Sequence, residues 1–452
     1  MRLIKFLSTI SLFTISATTL SACNMSNQHD YDNFGFWNLY EQPDIEFDEL
    51  YEQFRELLLE DFDFLVDKMQ TYSPHFAIHY RQRNLDLDGI MERQRNSIET
   101  RSLLLRRENM NFERIPRLVA DGMLGSLNSL SFGLAHMMPI QQASMQHSYF
   151  MSRYHSTLEG IPRVYQTSNP NFRAFYQLND HNVEVTEWPL DRNNIQTQII
   201  VPDEIALISI NHFMNVRENI LFDQEILFTF YEEIKDFNHL IIDLRRNRGG
   251  YSSIFAELIV SPLIDSPLEY RMYQFVRGSL LGYSANSDYF FLNFGTDSVD
   301  FTIGNFEIIP TSVFLSEHDM IHFNEYDLEF LEYVLVSTEI IEPRNLGFNF
   351  RGKIWLLTDG ATSSAGENAT LLALDTGFAT VVGTNTRGVM PSLTALAVLP
   401  NTGIAFRFDV GYFTDAYGRS LEEFGITPNY LNRPGMDALE TVLAMIEEID
   451  NQ

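Results

Sequence analysis

Cysteine is nearly absent: the 452-residue chain has one, Cys23. A disulfide framework and a thiolate metal site are therefore excluded. Base is scarce beside acid, 31 Lys and Arg against 61 Asp and Glu, for a net charge of −30. That balance argues against nucleic acid and anionic membrane surfaces as partners, since both would be repelled. Lysine is rarer still, and after residue 23 only Lys68, Lys235 and Lys353 remain. No apolar run beyond the N-terminus approaches the roughly 20 residues of a membrane-spanning helix.

What is present begins with an export signal. Arg2 and Lys5 precede an apolar run from Phe6 to Leu20, and Leu20-Ser21-Ala22-Cys23 closes it with small residues. This is the order of charged region, apolar region and cleavage site. Leu-Ser-Ala-Cys resembles the bacterial lipobox, which implies a signal peptide over residues 1–22 and lipidation of the Cys23 thiol. The expectation is a protein tethered to the extracytoplasmic face of a bacterial cell membrane rather than spanning it.

With 45% hydrophobic residues, the chain is long enough to bury a large core. Residues 23–46 are polar, acidic and aperiodic, as in a tether. From Phe47 to His136 the spacing turns helical, with Leu58, Phe62, Leu65 and Met69 on one stripe and breaks at Ser73-Pro74 and Ile115-Pro116. This region is expected to be a helical N-terminal domain. His75 and His79 could share a helix face, but no acid completes a metalloprotease pattern, and no metal is expected. Residues 137–200 are mixed. From 201 to 433 the pattern is α/β. Ile205–Ile210 and His239–Leu244 read as buried strands flanking a helix over Gln224–Lys235, a βαβ unit that implies a parallel sheet. An aromatic-rich stretch, 265–350, is expected to be an irregular insertion. Leu393–Val398 and Ile404–Val410 read as strands, and residues 434–452 hold a closing helix.

Gly352 to Gly388 organises the rest. Ile354–Leu357 is strand-like, Ser364–Asp375 is helical, and Phe378–Val382 is strand-like again. Ser363 and Ser364 fall at the strand-to-helix turn. A serine there meets unpaired helix N–H groups that favour a developing negative charge. Ser364-Ala365-Gly366-Glu367 also fits a capping box, a purely structural role. The second buried strand runs into Gly249-Gly250, where paired glycines let the backbone approach a ligand or form a plain connecting turn.

Three segments in order resemble the carboxyl-terminal processing (tail-specific) serine peptidases and their tricorn-like relatives. They are HLIIDLRRNRGG at 239–250, the Thr-Ser-Ser-Ala-Gly-Glu turn with the strand at 379–383, and the closing stretch Tyr417–Pro428. The resemblance implies a ClpP/crotonase-like α/β fold whose parallel or mixed sheet is built from βαβ units. It implies a peptide or protein substrate and no cofactor. It selects Ser364 as nucleophile, with an oxyanion hole from the amides of Ala365 and of Gly249 or Gly250. Tail-specific members carry a lysine in a Gly-Lys pair beyond the serine. Here Gly388 is followed by Val389, and the pattern is that of the tricorn-like branch. By that likeness His136 is the base and Glu422 orients the site, with His212 and Glu423 as the neighbouring alternatives. The alternative function is a family member that has lost catalysis and binds peptides at the membrane surface.

Overall fold

The computed structural model describes residues 47–75, 78, 87–99, 138–139, 170–175, 191–214, 217–282, 290–294, 306–346, 350–390 and 393–451. The signal segment, Cys23, the tether, His79 and His136 lie outside them.

In chain order the elements are α1 (Phe47–Tyr72), α2 (Leu87–Glu99), β1 (Met138–Pro139), α3 (Pro170–Phe175), β2 (Ile195–Val201), β3 (Ile205–Ile210), α4 (Arg217–Ile234) and β4 (His239–Asp243). Next come α5 (Ser252–Phe255), β5 (Leu268–Val276), β6 (Phe290–Phe294), β7 (Glu307–Pro310), α6 (Thr311–Glu317), β8 (Tyr333–Ile341), β9 (Lys353–Thr358) and α7 (Ala365–Thr376). The chain closes with β10 (Thr380–Gly383), β11 (Leu393–Val398), β12 (Ala405–Asp409), β13 (Gly411–Thr414), α8 (Leu421–Phe424), β14 (Tyr430–Leu431) and α9 (Ala438–Asp450).

The centre is a six-stranded mixed sheet in the order β14-β10-β9-β4-β3-β2. All its pairings are parallel except β2 with β3. Buried parallel strands are apolar throughout, and β4 is buried at every position. The steps from β3 to β4, β9 and β10 all move one way across the sheet, so right-handed crossovers place α4 and α7 on the same face. Leu227, Phe230 and Ile234 of α4 and Ala369 and Leu372 of α7 accordingly join one cluster with Ile208, Leu240, Ile242 and Leu356. The opposite face, Leu207, Ile241 and Trp355, is covered by Ala438, Val442 and Ile446 of α9. The fold is the expected α/β architecture.

The stretch 265–350 departs from expectation. Instead of an irregular insertion, it holds β5 and β8, paired antiparallel along nine residues each, in a sheet ordered β13-β5-β8-β7. Tyr270 packs on the main core, whereas Phe275, with Val334 and Val336 of β8, joins a second cluster that includes Phe314. Leu268–Met272 does alternate apolar with exposed polar residues, Glu269 and Arg271, but the pattern breaks where Gln274–Val276 and Val334–Val336 are buried in succession. A third sheet, β1-β12-β11-β6, completes the body.

The helical stripe lies as read: Leu58, Phe62, Leu65 and Met69 are buried along α1. The same helix buries Asp61, which accepts the amides of Asn401 at 2.8 Å and Thr402 at 2.7 Å and the Thr402 hydroxyl at 2.7 Å. These bonds tie α1 to the turn between β11 and β12. Burial pushes the Asp61 carboxyl up to about 7, against those three donors, with Glu60 beside it adding to the rise.

Because this pKa is raised, the group's contribution to stability is complete below the unfolded value of about 3.9 and fades as pH rises through about 7. Asp61→Asn should flatten that part of the stability–pH curve, measured by denaturant unfolding from pH 4 to 8. A curve parallel to wild type would contradict it. In the core, Leu356→Ala should cost about 2–5 kcal/mol by the same measurement.

Candidate active site

The turn between β9 and α7 is stitched to the end of β4. The Asp359 carboxylate accepts the amides of Ala361 at 2.9 Å, Thr362 at 3.1 Å and Arg246 at 3.0 Å. The Thr362 hydroxyl donates to Leu244 O at 2.9 Å, and the Ser363 amide to Asn247 O at 2.9 Å. The two serines then part company. Ser363 is 5% exposed, whereas Ser364 reaches the surface in part.

Ser364 has φ 55° and ψ −122°. An ordinary N-cap is extended, and a non-glycine residue held at positive φ costs on the order of 1–3 kcal/mol. The carboxylate half of the capping box is in place, with the Ser364 amide donating to Glu367 Oε2 at 3.1 Å. Capping alone does not require this backbone. The same amide donates to Val389 O at 2.6 Å, so two acceptors hold the strained residue. The Ala365 N–H, first in α7, has no acceptor among the described residues. It stands at the positive end of the helix dipole.

Gly249 presses on this turn. A Cβ there would lie 2.6 Å from Ser364 Cβ and 2.7 Å from Ala365 N, and one on Gly250 would lie 2.0 Å from Phe213 O. Their φ values, 89° and 139°, suit glycine as well. The Gly249 N–H is donated to Asn247 Oδ1 at 2.8 Å, and Asn247 Nδ2 to Ile210 O at 3.0 Å. Asn247, which carried no signal in the sequence, thereby shapes the glycine turn.

Burial separates the two closing glutamates. Glu423 is exposed. The Glu422 carboxyl is enclosed: Oε1 accepts the Phe413 amide at 3.1 Å, and buried Oε2 has no partner among the described residues. Burial pushes it well above the usual carboxylate range, and the charges of Asp409 and Glu367 push further. Its backbone lies against Gly388, whose Cβ would sit 2.8 Å from Glu422 O.

His212 has little left to offer a serine. The Met214 amide donates to Nδ1 at 3.3 Å, which leaves the proton on Nε2, 3.3 Å from Asp191 Oδ2. Both nitrogens are engaged, and burial lowers the ring's pKa, which keeps it neutral. His136 lies outside the described residues; Met138, two positions on, pairs with Arg407 of β12. His75 is buried with Nε2 2.7 Å from Gly411 O. Each lysine is engaged elsewhere: Lys68 lies 2.9 Å from Asp67, Lys235 3.6 Å from Glu232, and Lys353 4.1 Å above the Trp355 ring. A cleft of about 540 Å³ opens at the carboxyl ends of β3, β4 and β9, lined by Asp243, Arg245 and Arg246 among others but not by Ser364.

The model of peptidase family S41 matches residues 204–431, half of the chain. The chain belongs to this family. It is a serine-type peptidase. Among solved structures it is similar to mature CPAF complexed with lactacystin, at 13% identity over 87% of this chain and 97% of that one, TM-score 0.45. It is likewise similar to a lipoprotein from Streptococcus agalactiae, at 13% over 86% and 96%, TM-score 0.43. The photosystem II D1 C-terminal processing protease aligns at 11% over 86% and 96%, TM-score 0.37. No curated protein matches the sequence.

The strain at Ser364 generates a prediction. Ser364→Gly should be more stable than Ser364→Ala by about 1 kcal/mol, since glycine takes positive φ without penalty. Equal denaturation midpoints would contradict the observed backbone.

Proposed function

We propose that this peptidase is a serine endopeptidase of the tricorn-like kind that cleaves peptide bonds through an acyl-enzyme on Ser364. The observation that carries the reading is the conformation of Ser364, a strained serine partly open to solvent at the head of α7, with the Ala365 amide unengaged beside it. The hydroxyl attacks the scissile carbonyl, and its proton passes to the imidazole of His136 and on to the leaving amine. Negative charge on the carbonyl oxygen falls toward the Ala365 amide, a preorganised donor at the head of α7; the Gly249 N–H, expected from the resemblance as a second donor, is given to Asn247 Oδ1 instead. Water then reverses the sequence and frees the acid. Glu422 steadies the imidazolium: its buried Oε2 has no hydrogen bond among the described residues, and a cation beside it would favour ionisation of a carboxyl whose pKa burial raises.

The remaining parts of the reading are the anchor and the compartment. Cys23 at the end of the Leu-Ser-Ala-Cys motif is lipidated and holds the enzyme on the extracytoplasmic face of a bacterial membrane. Its substrates there are extracytoplasmic peptides or proteins.

A fluorophosphonate should label protein lacking residues 1–23 at Ser364, and Ser364→Ala should abolish both label and hydrolysis. Label retained by that variant would sink the assignment. His136→Ala should lower kcat by roughly 10²–10⁴-fold. Turnover that survives it unchanged would point to another base or to a binding role. For the anchor, Cys23→Ala should shift the full-length protein from the membrane fraction to the soluble one and stop palmitate incorporation.

A further inference from the structure

Glu367 is fully buried, yet it pairs with no cation among the described residues. Its Oε1 accepts the Thr386 hydroxyl at 2.6 Å and the Gly388 amide at 2.6 Å. Its Oε2 accepts the Val389 amide at 2.7 Å and the Ser364 amide at 3.1 Å. Four donors fill the roughly four acceptor sites of a carboxylate. A cap for α7 would need only the last of these. The other three belong to the 386–389 segment, which reaches the α8 region through Thr386. The Ile426 amide donates to Thr386 Oγ1 at 2.7 Å, and the Thr386 amide donates to Ile426 O at 3.1 Å. A Cβ on Gly425 would lie 2.1 Å from Thr386 O, so the two segments are in close contact.

We infer that Glu367, with Thr386 as its bridge, is the positioning residue that sets the distance between the nucleophile turn and the helix carrying Glu422. One continuous path runs from the Ser364 amide through the Glu367 carboxylate and the Thr386 hydroxyl to the Ile426 amide, four residues beyond Glu422. The carboxylate touches neither substrate nor the reacting oxygen. It acts by holding Ser364 in its left-handed conformation while fixing the backbone of Gly388, which lies against Glu422. A charged acceptor suits this task because it takes bonds from several amides at once, each stronger than a neutral equivalent.

The inference rests on the serine peptidase reading for its kinetic arm and on structure alone for its second arm. Thr386→Val keeps shape but removes the bridge, and Thr386→Ser restores the hydroxyl. With a peptide substrate, Thr386→Val should lower kcat by about 10–100-fold, the scale of a small misplacement of a catalytic group, with KM within about twofold. Thr386→Ser should recover most of kcat. Amide exchange read by mass spectrometry should show Thr386→Val losing protection in the segments around 364–367, 386–389 and 424–427, the last because the Ile426 amide loses its acceptor, and nowhere else. Wild-type kcat and wild-type exchange in Thr386→Val would overturn the proposal. So would exchange raised uniformly over the chain, which would mark Thr386 as a general stability residue. If the wild type neither hydrolyses peptides nor labels at Ser364, the peptidase mechanism fails, and the exchange pattern alone still decides whether the tie exists.

Discussion

The backbone of Ser364 is held where a side chain is disfavoured, and the surrounding structure explains how. Two acceptors, Val389 O and Glu367 Oε2, share its amide. A glycine packed against its Cβ leaves no room for the turn to relax in that direction. Strain of this size persists only where neighbouring groups over-determine the conformation. Here those groups come from three separate parts of the chain: the end of β4, the first turn of α7 and the segment after β10. The large parallel sheet matters chiefly because it brings these ends to one edge.

Ligand sites in open parallel sheets gather beyond the carboxyl ends of the strands, and this chain follows the rule with two neighbouring features there. The Ser364 turn sits where β9 passes into α7, backed by the glycine turn after β4. The cleft near Arg245 opens beside it, with Arg245 bridging Asp243 at 2.7 Å and Asp437 at 2.8 Å. That guanidinium is balanced by its two carboxylate partners.

Buried carboxylates recur: Asp61 and Glu367 lie inside and half-buried Glu422 encloses its Oε2, each pKa raised by burial. Asp61 and Glu367 receive three and four hydrogen bonds from other residues, whereas among the described residues Glu422 receives one from another residue, the Phe413 amide at Oε1, and none at Oε2. Buried polar atoms are almost always satisfied in native proteins. The contrast separates two carboxylates that fasten segments together from one whose second oxygen has no partner among the described residues.

Local patterns carry the secondary structure of this chain where one face is apolar at a definite period. Ile205–Ile210, the helix at 365–376 and the stripe on α1 were all legible, and so was the serine-bearing turn, because glycine, serine and helix-capping chemistry act within a few residues. The strands β5 and β8 were not, since the alternation of Leu268–Met272 is cut short by runs of successive buried residues, Gln274–Val276 and Val334–Val336. Nor could sequence tell Ser363 from Ser364 without a family pattern, or Glu422 from Glu423: exposure and burial separate them, and burial is set by distant segments. Glu367 read as a helix cap, and only the fold gives it three more donors from residues 386–389. Short-range chemistry is written in neighbouring residues, whereas strain, solvent access and the satisfaction of a buried carboxylate depend on which remote backbones arrive beside it.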